Sequence, residues 1–309
     1  MLWHISIISS RQEYLYRNLY IKEALSMQII SADMGRSESK FYSNNQKIKF
    51  KSVIGEWHQR NLNTEGNYDI NINGLNYFIG ELALRESYLP REMTTESKIH
   101  EETLLLFLTG ISLLARDNES IAITTGLPIN QFNPLIRDEI VSLLKGRHIV
   151  SFPGLRVKQL SINQITICPE SGGTYFYEAK KNPKLKHGKV RVINIGSRTI
   201  NYCTIKDGNY INKDSGTLLY GSIQLNNSKA NLQEFSRKIY ADLSSKWIDY
   251  NEDEDIILIS GGGILLLDNY LKQYFKKAIV SDDPIYSDVL GFYEIGIAKY
   301  GMLNATIAK

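Results

Sequence analysis

Residues 28–40 read Gln28-Ile29-Ile30-Ser31-Ala32-Asp33-Met34-Gly35-Arg36-Ser37-Glu38-Ser39-Lys40, and residues 190–199 read Val190-Arg191-Val192-Ile193-Asn194-Ile195-Gly196-Ser197-Arg198-Thr199. Each is a short apolar run that ends in Asx-x-Gly and passes into a turn bearing hydroxyls. Short apolar runs bounded by turn residues read as strands. The Asx at the strand end can face a metal ion or its water. The glycine lets the backbone approach phosphate oxygens, and hydroxyl and amide donors then bond those oxygens. One such turn is more often an ordinary hairpin, because Asp and Gly are common turn residues. Two of them in matching places carry more weight.

The surroundings of the two turns repeat as well. After the first, Lys40-Phe41-Tyr42-Ser43 and Ile48-Lys49-Phe50 alternate as strands. After the second, Thr199 to Ile205 and Tyr210-Ile211 do the same. Asp69-Ile70-Asn71-Ile72 and Leu75 to Gly80 flank Asn73-Gly74, the signature of a two-residue type I′ hairpin. Residues 98–115 give the strongest helical periodicity, the buried strand Ile121–Thr125 stops at Gly126-Leu127-Pro128, and a helix over 131–145 comes next. In the second half, a helix over 229–248 leads to the strand Ile256–Ser260, closed by Gly261-Gly262-Gly263. A further helix comes after the glycines and a last one spans 291–304. The triplet permits close backbone approach to a nucleotide and opens a helix whose positive end favours anions; a plain strand-to-helix turn would read the same. Two similar units make an internally duplicated α/β chain.

The composition agrees with this plan. With 309 residues, 43% hydrophobic and 22% charged, the chain suits one large or two medium globular domains. Thirty-six Lys+Arg against 33 Asp+Glu leave +3, too near balance for a protein dedicated to a phosphate backbone. Two cysteines without metal spacing fit a reducing compartment, so the expected location is cytoplasmic. No run of residues has the length and apolarity of a membrane span, nor does the start read as a signal peptide. Residues 1–26 carry an amphipathic helical pattern through Tyr14, Leu15, Leu19, Tyr20 and Leu25. They read as an N-terminal extension, either a regulatory arm or a segment upstream of a natural start at Met27.

In order along the chain stand Ala32-Asp33-Met34-Gly35, Tyr77-Phe78-Ile79-Gly80-Glu81-Leu82-Ala83, Thr124-Thr125-Gly126-Leu127-Pro128, Pro169-Glu170-Ser171-Gly172-Gly173, Asn194 to Thr199, Ser215-Gly216-Thr217, Ile259-Ser260-Gly261-Gly262-Gly263, Asp283-Pro284 and Gly291-Phe292-Tyr293. This ordered set, spanning about 27–303, resembles the actin-like ATPases of the bacterial ParM/StbA plasmid-segregation group. The resemblance implies an α/β chain of the actin-like class, the superfold shared with Hsp70 and hexokinase, with two related domains flanking a nucleotide cleft. Residues 27–185, joined by the C-terminal helix 291–309, would form domain I, and 186–290 domain II. Between Thr217 and Ser260 there is room for little more than one long helix. Subdomain IIB is therefore expected to be reduced or absent, as in the AlfA type.

Matched position by position, the resemblance assigns Asp33 to Mg²⁺ through water, since Mg²⁺ keeps most of its waters. Gly35, Arg36, Ser37 and Lys40 form the first phosphate loop, Gly196, Ser197, Arg198 and Thr199 the second, and Gly261, Gly262 and Gly263 the adenosine motif. Glu170 would orient or deprotonate the attacking water. As a carboxylate at a helix start it is equally explained by the helix dipole. The family opens its second loop with Asp; Asn194 still bonds a metal-bound water but brings no charge, so slower hydrolysis or altered Mg²⁺ dependence is expected.

The implied activity is ATP hydrolysis, with GTP the alternative, coupled to head-to-tail filaments of the chain itself. Plasmid DNA would be handled indirectly through a DNA-bound adaptor, with no membrane involved. A small-molecule kinase of the same superfold, related to sugar or acetate kinases, would need an acceptor pocket and a base aimed at a substrate hydroxyl, and no second acidic candidate stands beside Glu170 in the sequence. A nucleotide-binding scaffold with weak turnover is the third reading.

Lys180, Lys181, Lys184, Lys186, Lys189 and Arg191, with Pro183 and Gly188 among them, read as an exposed basic loop, and 252–255 as a solvated acidic connection. Tyr175-Phe176-Tyr177 reads as core. His100 and His187 have no partners at metal spacing.

Overall fold

A computed structural model describes residues 27–62, 68–93, 97–117 and 119–301. The helix expected within 1–26 lies outside the described residues. In chain order the elements are β1 (Gln28–Met34), β2 (Glu38–Ser43), β3 (Gln46–Lys51), β4 (Val53–Glu56), β5 (Tyr68–Ile72), β6 (Leu75–Ile79), α1 (Glu81–Glu86), β7 (Arg91–Glu92) and α2 (Glu101–Leu114). They continue with β8 (Ser120–Leu127), α3 (Pro134–Leu144), β9 (Gly146–Ser151), β10 (Lys158–Pro169) and α4 (Gly172–Lys181). The second half holds β11 (Lys189–Ile195), β12 (Ile200–Lys206), β13 (Asn209–Tyr210), β14 (Gly216–Leu218), α5 (Lys229–Lys246), β15 (Ile256–Ser260), α6 (Ile264–Leu271), β16 (Ile279–Val280) and α7 (Ser287–Gly296).

Two sheets form, and they share one plan. The first runs β3-β2-β1-β8-β10-β9-β5-β6-β4-β7, and the second β13-β12-β11-β15-β16 with β14 beside β12. In each, an opening hairpin is antiparallel and the next strands add in parallel: β1 pairs with β8, and β11 with β15. The duplication expected from the two turns is therefore present in the topology. The first sheet is longer because β10, after a register shift at Ile162/Gln164, pairs with β9 and carries the sheet outward. At the β5–β6 hairpin, Asn73 and Gly74 take φ of 50° and 92°, as a type I′ turn requires.

Helices cover both faces of each sheet, as strands this apolar demand. The α2 residues Leu105, Leu106, Leu108 and Ile111 pack on Ile30, Phe41, Ile54 and Ile123. On the opposite face Ile29 and Ala122 meet Tyr300 and Tyr293. In the second sheet Ile193, Ile195 and Ile259 join Phe235, Ile239 and Leu243 of α5 with Leu267 and Leu271 of α6. The other face carries Tyr175 and Ala179 of α4. Helices α4 and α7 join the halves. They cross at Gly173 and Gly291, where a Cβ on either would overlap the other helix's backbone.

Several expectations are corrected. The last helix begins at Ser287 and passes into a π turn over Ile297–Gly301; residues 302–309 lie outside the described residues. The basic run is not one loop. Lys180 and Lys181 close α4, Lys184 and Lys186 sit in a 3-10 turn, and Lys189 and Arg191 belong to β11. Arg191 is fully buried, pairing with Asp255 and Asp249 at 2.7 Å each and lying over the Trp247 ring. Asp255, at the end of the acidic run, is therefore a core residue. Of the aromatic triplet, Tyr175 is buried but Phe176 is 41% exposed. The interval from β14 to β15 holds a 3-10 turn and the single long helix α5, as its length suggested.

Candidate functional site

The two Asx-x-Gly turns face each other across a cleft of about 360 Å³. Asp33, Gly35, Arg36, Ser37 and Lys40 line one wall, and Asn194, Gly196, Ser197, Arg198 and Thr199 the other. Gly261, Gly262 and Glu170 complete it. Of the residues expected there, Gly263 alone does not line the cleft: its N–H donates to the Ile195 carbonyl at 3.0 Å and it packs against the Ile195 side chain. It supports the second turn from behind. Lys98, Asn201 and Asp288, which no motif marked, line the cleft as well.

The turns are built alike. In both hairpins the Asx pairs in register with a residue seven positions on, Asp33 with Lys40 and Asn194 with Asn201. In the first, Lys40 ion-pairs with Asp33 at 3.0 Å. Burial works against ionising Asp33, but the charges of Lys40 and Lys98 hold its carboxyl below the ordinary carboxylate value. Lys40 feels the reverse: burial opposes its charge, and Asp33 outweighs burial and raises it. In the second, Asn201 donates from Nδ2 to Glu170 Oε2 at 2.6 Å, while its Oδ1 accepts from Thr217 Oγ1 at 2.7 Å. The other Glu170 oxygen is ion-paired with Lys98. Glu170 follows β10, its N–H bound to the Leu127 carbonyl at 2.8 Å, so the two parallel strands β8 and β10 aim it into the cleft.

A further buried acid, Asp288, lines the cleft that holds Glu170, and its oxygens are already taken. Its carboxylate accepts from Ser171 N at 2.9 Å, Thr174 N at 2.7 Å, Thr174 Oγ1 at 2.8 Å and Asn194 Nδ2 at 2.9 Å. Burial, with the charge of Asp33, pushes its pKa up to about 6, against the pull of those donors. The sequence signal that could have found it is a lone Asp in the first turn of a helix, too common to stand out.

The lining fits a polyphosphate and a purine-sized group. Arg198 Nε is buried with no hydrogen-bond partner, an unmet donor at the phosphate wall. A Cβ on Gly196 would come within 2.9 Å of the Thr199 carbonyl, and one on Gly262 would meet nothing within 4 Å and reach into open cleft. Among the described residues no group of three or more His, Cys, Asp or Glu could hold a metal ion, so a cation here would rely on few protein carboxylates and on water.

Residues 31–173 match the family of actin-like proteins' N-terminal domain. The chain is similar in structure to a 15-stranded ParM filament from Clostridium botulinum, with a TM-score of 0.76 and 20% identity, covering 88% of this chain and 99% of that one. The fold is actin-like. An archaeal actin homologue in complex with ADP matches this actin-like chain at TM-score 0.75 and 16% identity, covering 88% of this chain and all 100% of the other. An AlfA filament bound to AMPPNP matches at 0.66 and 16%, over 91% and 99% of the two chains. A comparison with curated protein sequences finds no match. The actin-like resemblance drawn from the motifs thus stands at the level of the fold, with the family match confined to residues 31–173. No helix among the described residues is long and apolar enough to cross a membrane.

Proposed function

We propose that the chain is a polymerising, ParM-like ATPase whose filaments move plasmid DNA through a DNA-bound adaptor. The observation that carries this reading is the convergence of both Asx-x-Gly turns, from separate sheets, with Glu170 and the glycines after β15 on one cleft. On this reading 27–185 with the C-terminal helix form one actin-type domain and 186–290 the other. On the same reading the domains would close on the nucleotide about the crossing of α4 and α7 at Gly173 and Gly291.

Arg36, Ser37 and Lys40 on one side, with Ser197, Arg198 and Thr199 on the other, would hold the phosphates of ATP, and Gly261 and Gly262 the adenosine. Bound Mg²⁺ supplies charge neutralisation of the phosphates, and Asp33 would hold its waters. Glu170 takes the proton of the attacking water as the water oxygen bonds the terminal phosphorus; the bond to the bridging oxygen breaks, and its electron pair leaves with ADP. Release of phosphate would then weaken contacts between subunits. Asp288 does not rescue the small-molecule kinase: four donors already occupy its oxygens, so it offers no base to an acceptor hydroxyl.

Light scattering tests the proposal. Addition of ATP and Mg²⁺ should raise scattering above a critical protein concentration, and Glu170→Gln should still assemble while releasing phosphate at least about a hundredfold more slowly. Absence of assembly across a wide range of salt and crowding agent would overturn the filament reading. Phosphate release that needs an added sugar or carboxylate would favour the kinase.

A further inference from the structure

Lys98 belongs to none of the phosphate-loop motifs, yet its ammonium stands at the centre of the cleft's charge. It lies just before α2, where the helix expected from residue 98 has not yet begun, and is only 5% exposed. Its Nζ ion-pairs with Glu170 Oε1 and stands 3.5 Å from the Gly126 carbonyl, the outer limit of a hydrogen bond. From the opposite wall Asn201 Nδ2 holds Glu170 Oε2 at 2.6 Å. Each oxygen of Glu170 thus already carries one protein donor, Oε1 a cation and Oε2 a neutral amide. Lys98 is also within electrostatic reach of Asp33 and lines the cleft itself.

Resting on the nucleotide reading above, we propose that Lys98 reads the terminal phosphate. It pairs with Glu170 when the cleft holds a diphosphate or no nucleotide. When a triphosphate enters, the ammonium moves to the terminal phosphate oxygens and releases Glu170 Oε1 for the attacking water. The chemistry favours such an exchange. An ammonium on a flexible four-carbon stem is a compact point charge that follows the stronger negative field, and it has three donors to share. A buried ammonium is costly to leave unpaired, so it changes partner without passing through a lone state. Asn201 keeps its hold on Oε2 throughout, so the freed carboxylate stays aimed. Loss of the terminal phosphate restores the ion pair and closes Glu170 again.

The test compares binding of a non-hydrolysable ATP analogue and of ADP, both with Mg²⁺, by fluorescence titration of the full chain. Wild type should prefer the triphosphate. Lys98→Met should lose about tenfold in triphosphate affinity, the size of one hydrogen bond to a charged group, and leave ADP affinity nearly unchanged. Lys98→Arg should keep part of the preference. If Lys98 only supports the fold, both affinities fall together or neither does, and an unchanged ratio overturns the proposal. Lys98→Met combined with Glu170→Gln leaves no unpaired buried charge and carries the same comparison should the single variant fail to fold. Wild type that binds neither nucleotide overturns the nucleotide reading and this inference together; wild type that binds both while every variant keeps the same ratio overturns this inference alone.

Discussion

Asn194 donates from Nδ2 to Asp288 Oδ2 at 2.9 Å, tying the second Asx-x-Gly turn to the first turn of α7. The residue that departs from the actin-like pattern is thus hydrogen-bonded to a carboxylate that no motif announced. An Asp at position 194 would place a second carboxylate against one that burial and Asp33 already make hard to ionise.

Asn194→Asp should therefore lower stability by roughly 1–3 kcal/mol in chelator, since a donor is replaced by a like charge in a buried site. Urea unfolding monitored by circular dichroism reads this directly. An unchanged midpoint would mean that the Asn194–Asp288 bond contributes nothing to the fold.

Arg191 is the second place where a charge is committed to the interior. Its guanidinium is fully buried against Asp255, which is itself 5% exposed, and Trp247. Arg191→Leu should cost about 3–5 kcal/mol by leaving buried Asp255 with only the longer ion pair to Lys189 at 3.5 Å, and Arg191→Leu with Asp255→Leu should recover much of that loss. Equal destabilisation of the single and double variants in a denaturant titration would show that the aromatic contacts, and not the charge pair, matter.

Neighbouring glycines after β15 should answer to substitution in opposite ways. Gly261 holds φ at +87°, and a Cβ there would overlap the Ile195 backbone, whereas Gly262 faces open cleft. Gly261→Ala should destabilise by more than about 1 kcal/mol, because the backbone conformation itself is unsuitable. Gly262→Ala should melt like wild type and weaken nucleotide binding. Matching thermal midpoints for the two variants would contradict this account.

The thiols should be silent in the folded protein. Burial pushes Cys168 and Cys203 up to about 12, so the thiolate is a minute fraction at pH 8 and the sulfurs are enclosed as well. A chromogenic disulfide reagent should titrate no thiol until denaturant is added. Rapid labelling of either cysteine under native conditions would require that its part of the core opens freely.

How much was legible in sequence depended on how local the cause is. The strand ending in Asp33-Met34-Gly35, its twin at Asn194-Ile195-Gly196, the Asn73-Gly74 hairpin and the glycines after Ser260 are each decided by a few consecutive residues, and each stands where the pattern placed it. The basic run misled because Lys184 and Lys186 are exposed as charges usually are, while Arg191, in the same string, finds Asp255 waiting beside the neighbouring strand. Nothing local distinguishes those lysines from that arginine.

The chain's own order of residues determined the duplicated strand-turn units, the helices between them and most of the lining of the cleft, because turn chemistry and apolar periodicity act over a few residues. Only the tertiary structure decided which charges face one another. Lys98 meets Glu170, Asn201 holds the same carboxylate from the other sheet, and Asn194 reaches Asp288 near the chain's end. The first pairing joins two segments of the first unit 72 residues apart, and the other two span the halves that α4 and α7 join. Electrostatic energy depends on distance in space and on burial, neither of which the spacing of residues along a chain contains.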